Sequence, residues 1–458
     1  MPDIQLTRNP VRVRLAAALA ACNLQIADDK TKPLSIHSHC AGLDAVALSF
    51  RALGITVSNV ASECDPSVAL AHLLHHRKTT DHLITDIKTM AQGCEGPCYK
   101  HGGRICTWSP TTQLLFSSFV CKPYSRANSK RIKTMNPSDG DSGVQTYHMT
   151  KECISQYRPH GFVLENGDGV SAKHPPTSTA KNSDDTHADF MLDDLRAAGY
   201  SVEKVSSIRA SDFGVCQARP RTLFFGVRED HPTTAKDVVQ IFMRLSAAYH
   251  EVAGPMAKID ESLTYTSGDA LSDDDDDSAG QSDDRLSDTA NYIVEYVKAR
   301  DHMKTAFPEV DFPLLSKDAR PSAHAPHKTS NRVKATIDVL SLAHGMHVRG
   351  CSNHDGCQCH PLADVSQRAD RCHFKTDGSV PTLTTGSLIF SYKMKRFVHP
   401  TELLKSMGYG SVNLAPLPKS AQRRVAGNGY AVPVCATAVA AIATVVGRIK
   451  KTSAQSSS

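Results

Sequence analysis

Short apolar runs alternate with amphipathic stretches between residues 34 and 228, and these two patterns predict strands and helices. The predicted strands are LSIHS, SNVAS, LLFSSFV, GFVLEN and TLFFGV. Helical spacing occurs in LDAVALSFRALG, DPSVALAHLLHHR and DDTHADFMLDDLRAAG, the last with Asp184 as its predicted N-cap. This alternation is typical of a doubly wound α/β sheet, in which ligands bind beyond the carboxyl ends of the strands.

The segments outside this region are less regular. Residues 266–288 surround the run SDDDDDSAGQSDD, which has almost no apolar surface to bury, and we predict a disordered insertion there. Residues 448–458 include the polar sequence KKTSAQSSS and are predicted to be a disordered tail. Residues 1–33 contain the run LAAALAAC and predict a short N-terminal helical extension.

The composition is typical of a globular intracellular protein. Hydrophobic residues make up 40% and charged residues 22% of the 458 positions, and no apolar run has the length needed to cross a membrane. The 14 cysteines are too irregularly spaced for a secreted disulfide framework, which favours reduced thiols and metal ligands. The net charge is only +5, but acidic residues are concentrated in the insertion, so the remainder is basic and suited to a polyanionic partner.

Cys121 ends the apolar run LLFSSFVC and is followed by a loop of serine, asparagine and basic residues. A strand ending here would hold the thiol at a sheet edge, and a group of cations would favour the thiolate. These cations are Lys122, Arg126, Lys130 and Arg131. The alternative is a buried cysteine that packs as a small hydrophobic residue, and the residues around Cys121 alone leave both interpretations open.

The ends of the first two predicted strands have features of a cofactor site. Residues 38–43 form a turn of small residues, including Gly42, where the backbone can approach a bound ligand closely. Glu63 ends the second strand and could accept hydrogen bonds from both ribose hydroxyls; a carboxylate at a helix N-terminus is the alternative. Asp86 could face an adenine amine or be an ordinary turn residue.

Further motifs follow Cys121 in a fixed order. Glu165-Asn166 ends the strand GFVLEN, and the sequence Gln217-Ala218-Arg219-Pro220-Arg221 precedes TLFFGV. The segments PTLTTGSLIF, RFVHPTELLKSMGY and GNGYAVP come near the end of the chain. Together with the cofactor turn and its acidic partner, this series resembles the cytosine-5 DNA methyltransferases over residues 34–446, with every segment collinear.

The resemblance implies an S-adenosylmethionine-dependent enzyme with a Rossmann-like doubly wound sheet and a smaller target-recognition domain. Residues 34–228 would form the first part of the catalytic domain, residues 229–394 the target-recognition domain, and residues 395–447 the part that completes the catalytic domain. It also implies DNA as the partner, a monomeric catalytic unit and a nuclear location. We find no signal peptide or membrane segment in the sequence.

The family adds a cysteine thiolate to C6 of cytosine, which lets C5 attack a methyl group. By resemblance, Cys121 is this nucleophile, Glu165 shares a proton with N3, Arg219 stabilises O2, and Arg221 contacts phosphate or the thiol loop. The residues expected to bind the cofactor are Ser38, Cys40, Gly42, Leu43, Glu63, Asp86, Asn428 and Val432. Those expected to contact nucleic acid are Ser125, Arg126, Lys130, Arg131 and Gln217.

The sequence also departs from the family pattern. Val120 and Lys122 replace the proline and glutamine that flank the nucleophile, Gly167 replaces a valine, and His39 and Ala41 replace glycines of the cofactor turn. Lys122 could lower the thiol pKa, whereas His39 and Ala41 would crowd the cofactor. Two alternatives therefore stand beside DNA methylation: the same chemistry on RNA such as tRNA, and a catalytically weak nucleic-acid-binding homologue.

Two groups of cysteine and histidine residues suggest structural zinc. The first lies in a histidine-containing region, has no standard finger spacing, and consists of Cys351, Cys357, Cys359 and Cys372. The second precedes the nucleophile strand and consists of Cys94, Cys98, His101 and Cys106. Each group is predicted to be either a metal site or a set of reduced thiols.

Overall fold

The computed structural model describes residues 10–27, 29–125, 135, 142–172, 186–217, 219–254, 285–308, 310, 312–313, 329–344 and 361–452. Its helices are α1 (Pro10–Ala21), α2 (Ala45–Leu53), α3 (Pro66–His76), α4 (Ile87–Gln92), α5 (Ser142–Tyr157), α6 (His187–Ala197), α7 (Ala235–Ala253), α8 (Arg285–Ala306), α9 (Asn331–Ala343), α10 (Pro400–Lys405), α11 (Lys419–Gly427) and α12 (Val432–Ile442). Its strands are β1 (Leu24–Ile26), β2 (Leu34–His39), β3 (Val57–Ser62), β4 (His82–Ile84), β5 (Glu95–Cys98), β6 (Arg104–Thr107), β7 (Leu114–Ser117), β8 (Gly161–Gly167), β9 (Tyr200–Arg209), β10 (Pro220–Arg228), β11 (Leu362–Asp364), β12 (Phe374–Lys375), β13 (Ile389–Ser391), β14 (Arg396–Phe397) and β15 (Ile449–Lys451).

A nine-stranded mixed sheet forms the centre of the molecule, in the order β6-β5-β4-β3-β2-β7-β8-β10-β9. Strands β4, β3, β2, β7 and β8 are parallel, and β5, β6, β10 and β9 join them by antiparallel pairing. The five predicted strands correspond to β2, β3, β7, β8 and β10. The predicted α/β class and Rossmann-like sheet are therefore confirmed.

The order of the strands reverses between β2 and β7. The chain runs outward from β2 through β3 to β4 and then returns to the other side of β2 as β7. His39 and Ser117 are paired at the carboxyl ends of these two strands. Such a reversal opens a crevice beyond the strand ends, which is where doubly wound sheets bind ligands.

The helices beside this crevice begin at side-chain caps. Asp65 accepts hydrogen bonds from the first turn of α3, and Pro66 occupies its first position. Helix α6 begins at Thr186, which forms a reciprocal capping box with Asp189. The sequence predicted Asp184 as this cap, and that residue lies outside the described ranges.

One face of the sheet is covered by α1, α2, α7 and α12, which share a single apolar cluster with β2 and β10. All 11 residues of α12 are buried, so this helix is the centre of the layer. Helix α7 packs on β9 and β10, although the sequence placed its residues in the target-recognition domain. The central domain therefore extends beyond residue 228 to the end of α7.

The structure also differs from the predictions at the two ends of the chain and at the acidic insertion. Residues 448–458 were predicted to be a disordered tail, but β15 pairs with β1 antiparallel, with Ile449 opposite Ile26. The N-terminal extension contains the predicted helix, α1, and also β1. The predicted acidic insertion ends in α8, which begins at Arg285, and its residues 266–284 lie outside the described ranges.

A second, smaller unit is formed by α8, α9 and a four-stranded sheet in the order β12-β11-β13-β14. It has its own apolar cluster, in which the buried Tyr292 donates a 2.6 Å hydrogen bond to the Asp338 carboxylate. This unit occupies the region predicted for a smaller domain. Within the described parts of the chain, no single helix meets a length and hydropathy test for crossing a membrane, although the bent pair α11 and α12 together meets it.

Candidate active site

Cys121 lies in a loop that begins where β7 ends. The loop is fixed before the cysteine by Asn166, which donates a 2.8 Å hydrogen bond to the Phe119 carbonyl. After the cysteine, the amides of Tyr124 and Ser125 each donate to the Cys121 carbonyl at 3.1 Å, which forms a tight turn. The half-buried thiol is thus held between the ends of β7 and β8.

Glu165 and Arg221 form an ion pair beside this thiol, through Oε1 and Nε. Their side chains are 13% and 9% exposed, so the pair is largely removed from solvent. A Cβ atom placed on Gly167 would lie 3.8 Å from the Cys121 Cβ and 3.9 Å from the Arg221 Nη1. The thiol, carboxylate and guanidinium therefore surround one position, and the glycine at residue 167 leaves that position open.

The charges of this pair act on Cys121 in opposite directions. Burial raises the pKa of the Cys121 thiol, the Arg221 guanidinium lowers it, and the Glu165 carboxylate raises it. The sequence assigned this effect to Lys122, Arg126, Lys130 and Arg131. Lys122 is exposed, the other three lie outside the described residues, and among those described the cation that lowers the thiol pKa is Arg221. The net direction is upward, so the resting site favours the thiol over the thiolate.

Arg219 occupies a different place from the one predicted. Its Nη1 donates to the carbonyls of Gly427 at 3.0 Å and Gly429 at 3.1 Å. The sequence gave it contact with the reacting base and gave Arg221 a contact with phosphate or the thiol loop. In the structure Arg221 is the guanidinium beside Glu165 and near the thiol loop, and Arg219 binds the C-terminal Gly-Asn-Gly segment.

Gln217 was predicted to contact nucleic acid, but its side chain is only 1% exposed. It forms an isolated parallel bridge with Val380, and its Nε2 has no hydrogen-bond partner among the described residues. It lines a cavity of about 220 Å³ together with Arg219, Arg221 and Tyr430. Ser125 lies at the end of the thiol turn, whereas Arg126, Lys130 and Arg131 lie outside the described residues.

Glu63 closes the turn that follows β2. One carboxylate oxygen accepts a 3.0 Å hydrogen bond from the Gly42 amide, and the other accepts a 2.9 Å bond from the Asp65 amide. Burial raises the pKa of Glu63, and the hydrogen bonds from these amides lower it. The Glu63 carboxylate therefore contacts both the small-residue turn and the N-cap residue of α3, the second of which corresponds to the helix N-terminal position that the sequence left open as its alternative.

Backbone strain in this turn lies at Cys40 and Asp44. Cys40 and Asp44 have φ values of 50° and 51°, in the left-handed region that non-glycine residues rarely adopt. Asp44 is held there by hydrogen bonds from the Ser38 hydroxyl at 3.2 Å and the Asn59 amide at 2.9 Å. The two predicted departures, His39 and Ala41, do not have positive φ values.

A cavity of about 510 Å³ of empty volume, including its open mouth, lies at the strand reversal. It is lined by Ser38, His39, Cys40, Ala41, Ala45, Val46, Phe116, Ser117, Ser118, Val163, Glu165, Tyr409, Asn428, Tyr430, Cys435, Ala438 and Val439. Glu165 is thus shared between this cavity and the thiol site, so a ligand in the cavity would lie beside the reacting groups.

Buried polar atoms in the wall indicate that the cavity suits a polar ligand. Both ring nitrogens of His39 and the hydroxyl of Tyr430 are buried and have no hydrogen-bond partner among the described residues. Burial lowers the pKa of His39 to about 3, so its ring is neutral and can both donate and accept. The wall of the cavity therefore combines apolar side chains with buried polar atoms that can bind a polar ligand.

The predicted cofactor residues divide into two groups. Ser38, Cys40 and Asn428 line the cavity, and Gly42 is held by the acidic end of β3. The others do not line it: these are Glu63, Leu43 and Val432, which are buried, and Asp86, which is exposed and caps α4 through the Lys88 amide at 2.9 Å. Asp86 thus has the turn role that the sequence left open as its alternative.

The predicted metal groups are also rearranged. Cys351, Cys357 and Cys359 lie outside the described residues, and the Cys372 thiol donates to the Arg368 carbonyl at 3.2 Å. In the second group, His82 takes the place that the sequence gave to Cys94. The ligand atoms that lie together there belong to His82, Cys98, His101 and Cys106.

Two further residues of the site were not predicted. Tyr409 and Tyr430 are buried together at the cavity wall, and the Tyr430 amide donates to the Tyr409 hydroxyl at 3.3 Å. Burial raises the pKa of Tyr430, so its hydroxyl stays protonated and can donate. Tyr430 lies within the GNGYAVP segment, and the presence of a large aromatic residue there was the signal available in the sequence.

Close packing behind the thiol loop predicts a specific effect of Gly169→Ala. A Cβ atom at this residue would lie 2.1 Å from the Tyr124 carbonyl oxygen, so the turn after Cys121 must shift. We expect a loss of about 1–3 kcal/mol in unfolding free energy, the usual cost of overpacking, together with slower methyl transfer. Denaturant unfolding and a methyl-transfer assay measure the two effects.

Gly93→Ala is the matched control, because a Cβ atom there meets nothing within 4 Å and the backbone is extended. Equal stability and activity of the two variants would show that residue 169 does not constrain the loop.

Comparison with known proteins places this arrangement in a family. The chain matches the family model for C-5 cytosine-specific DNA methylase over residues 34–444. It is 25% identical over 218 residues to the type II methyltransferase M.BsuRI of Bacillus subtilis, a match covering 44% of each chain. The type II methyltransferase M.BspRI of Lysinibacillus sphaericus is also 25% identical over 218 residues, covering 45% of this chain and 47% of that one. The match thus spans less than half the length of these curated relatives.

Among solved structures, the S. pombe Dnmt2 methyltransferase aligns over 90% of this chain and 99% of its own, with a TM-score of 0.45 and 13% identity. The family model covers most of the chain and includes both the cavity and the thiol site. The chain therefore belongs to the C-5 cytosine-specific DNA methylase family.

Proposed function

We propose that this protein methylates C5 of cytosine in DNA through a covalent adduct on Cys121. The observation that carries the proposal is the grouping of the Cys121 thiol with the Glu165 and Arg221 ion pair, beside a cavity that also includes Glu165. Membership of the family supports the reaction class and the use of S-adenosylmethionine.

Cys121 supplies the nucleophile. Its thiolate adds to C6 of cytosine, and the electron density displaced from the C5–C6 bond is delocalised toward N3 and O2. S-adenosylmethionine, when bound, supplies an electrophilic methyl group for C5. Loss of the C5 proton to a base, followed by expulsion of the thiolate, then restores the ring and the free Cys121.

Glu165 and Arg221 stabilise the charge that develops on the ring. Arg221 fits the O2 position, because its guanidinium is paired with Glu165 and lies close to the Cys121 loop. Glu165 holds the proton shared with N3. The turn from Ser38 to Gly42 and the Asn428 segment would hold the cofactor, with Glu63 supporting the turn through the Gly42 amide.

Target recognition requires the base to leave the duplex, since C6 and C5 cannot be reached by a thiol within a stacked helix. Ser125 is the last described residue before this basic part of the sequence, and Arg126, Lys130 and Arg131, which follow it in the sequence, are the proposed phosphate contacts. The smaller unit formed by α8, α9 and its sheet is the candidate target-recognition domain. The curated relatives named above are bacterial, and the nuclear location predicted from the sequence is not part of the proposal.

Methyl transfer to three substrates tests the proposed substrate. Labelled S-adenosylmethionine is incubated with the protein and duplex DNA of mixed sequence, single-stranded DNA or a tRNA pool. We expect incorporation into duplex DNA at cytosine C5, located by bisulfite sequencing. Incorporation confined to tRNA would show that the substrate is RNA instead of DNA. Binding of DNA without incorporation would support the catalytically weak alternative.

The pH dependence of Cys121 alkylation tests its environment. Because burial and Glu165 raise the pKa of this thiol, its reaction with iodoacetamide is expected to reach its midpoint above the pH found for a cysteine peptide. Glu165→Gln should lower this midpoint and Arg221→Gln should raise it, since each removes one charge. Peptide mass spectrometry over a pH series measures it, and a wild-type midpoint at or below that of the free peptide would contradict the described environment.

A further inference from the structure

A hairpin at one edge of the central sheet brings four candidate metal ligands together. Strands β5 and β6 form this hairpin, which joins the sheet at β4. Ligand atoms of His82, Cys98, His101 and Cys106 all lie within 4.8 Å of one another. Two sulfurs and two imidazole nitrogens at this spacing match the donor set of a tetrahedral zinc site.

The local backbone explains why three of these residues meet. Cys98 ends β5 and is followed by one turn of 3₁₀ helix, Tyr99–His101, of which His101 is the last residue. Gly102 and Gly103 then reverse the chain with φ values of 69° and 80°, and the Gly103 amide donates to the Cys98 carbonyl at 2.8 Å. Cys106 follows on β6, where its Sγ lies 3.2 Å from Nδ1 of His101. The hairpin therefore presents its ligands on one side.

Two observations on β4 point independently to a bound cation. The Leu83 amide donates to Cys98 Sγ at 3.3 Å, the kind of hydrogen bond that supports a thiolate ligand. Nδ1 of His82 is buried and has no hydrogen-bond partner among the described residues. A buried nitrogen without a partner is unfavourable, and a cation bound by the His82 ring would satisfy this requirement.

The hairpin also has little apolar core to hold it in place. Most of β6 is exposed, including Ile105, whose side chain is 66% exposed. The ladder between β4 and β5 consists of the single pair Ile84 and Cys98. Such a small, poorly buried unit is the usual setting for a structural metal.

We propose that His82, Cys98, His101 and Cys106 bind one structural zinc ion that fastens the β5–β6 hairpin to β4. Two thiolates neutralise the charge of the ion, and their protons are released on binding. Strand β4 connects the site to the cofactor turn, because the Ile84 carbonyl accepts a 3.1 Å hydrogen bond from the Glu63 amide. The zinc site takes no part in methyl transfer, so its test does not depend on the proposed function.

Metal analysis of the full chain tests the proposal. The protein is purified without chelator, and zinc is measured by plasma mass spectrometry for wild type, Cys106→Ser, His101→Ala and Cys94→Ser. We expect wild type and Cys94→Ser to hold about one zinc per chain more than the two ligand variants. Zinc bound by the other cysteine group would be present in every variant, so it does not affect this difference in zinc content. Cys98 is left intact because it is fully buried.

Two measurements on the wild type do not depend on folding of a variant. Cobalt exchanged into the wild-type site should give a thiolate-to-metal absorption band. Cys106 should resist iodoacetamide until a chelator is added. Equal zinc in wild type and in both ligand variants would overturn the proposal, as would a Cys98–Cys106 disulfide in protein that retains no zinc.

Discussion

Cys121→Ser is expected to abolish methyl transfer to DNA. A serine hydroxyl in this position has no charged partner to remove its proton, since the neighbouring groups are the Glu165 carboxylate, already paired with Arg221, and the guanidinium itself. The expected loss is about four orders of magnitude or more, the scale seen when a covalent nucleophile is removed. The rate of labelled methyl incorporation under single-turnover conditions measures it.

The substitution should leave folding and cofactor binding intact. Cys121 is not among the residues that line the 510 Å³ cavity, so binding of S-adenosylmethionine by calorimetry should match that of wild type. Cys94→Ser is the control thiol variant and should retain wild-type activity. Activity of Cys121→Ser within tenfold of wild type would mean that the thiol does not carry the reaction.

Arg221→Gln and Arg219→Gln are expected to affect different properties: the first the methyl-transfer rate constant, and the second stability and the KM for S-adenosylmethionine. Arg221 is the guanidinium beside Glu165 and the thiol, so its loss should lower the methyl-transfer rate constant by about 10²–10³-fold, as for removal of one charge-stabilising donor. It also leaves the Glu165 carboxylate largely buried without its cation. We expect the midpoint of Cys121 alkylation to rise in the same variant.

Arg219→Gln should act on the closing segment instead. Arg219 donates to the Gly427 and Gly429 carbonyls, and loss of these charge-assisted bonds should cost about 1.5–3 kcal/mol of stability. Because Asn428 lies between those carbonyls and lines the cavity, the KM for S-adenosylmethionine should rise more than kcat falls. Thermal unfolding and steady-state kinetics distinguish the two variants. The opposite pattern, with Arg219 controlling kcat and the alkylation midpoint, would restore the assignment made from the sequence.

The difference between these two arginines shows what the sequence could not determine. The order of motifs identified both residues, but their roles depend on strand register. Arg221 pairs with Gly167 across the β8–β10 ladder, which places it diagonally to Glu165 on the same face. Arg219 precedes the strand and is free of that register. Sequence alone does not specify where β10 begins.

The central part of the fold followed directly from periodicity, because β2, β3, β7, β8 and β10 are buried apolar runs of four to nine residues. The missed elements include the ten-residue strand β9 and the 19-residue helix α7, and others are short or exposed. Strand β6 is mostly exposed, and β15 has only three residues, so neither has the hydrophobic pattern of a buried strand. Their positions are fixed by pairing with distant segments.

The candidate metal-ligand group also depends on pairing between distant segments, which the sequence does not show. Cys98, His101 and Cys106 were found because they are close in sequence, and Cys94 was included for the same reason. His82 lies on a separate strand, and only the β4–β5 pairing brings it to the group. Spacing along the chain finds ligands within one hairpin, whereas a ligand from a neighbouring strand requires the fold.

Covalent trapping tests the central claim most directly. Wild-type protein is incubated with S-adenosylmethionine and duplex DNA in which 5-fluorocytosine replaces cytosine, since fluorine at C5 blocks the final elimination. We predict a stable protein–DNA adduct that peptide mass spectrometry locates on Cys121. Methylation of ordinary duplex DNA without any such adduct, or an adduct on another cysteine, would contradict the proposed mechanism.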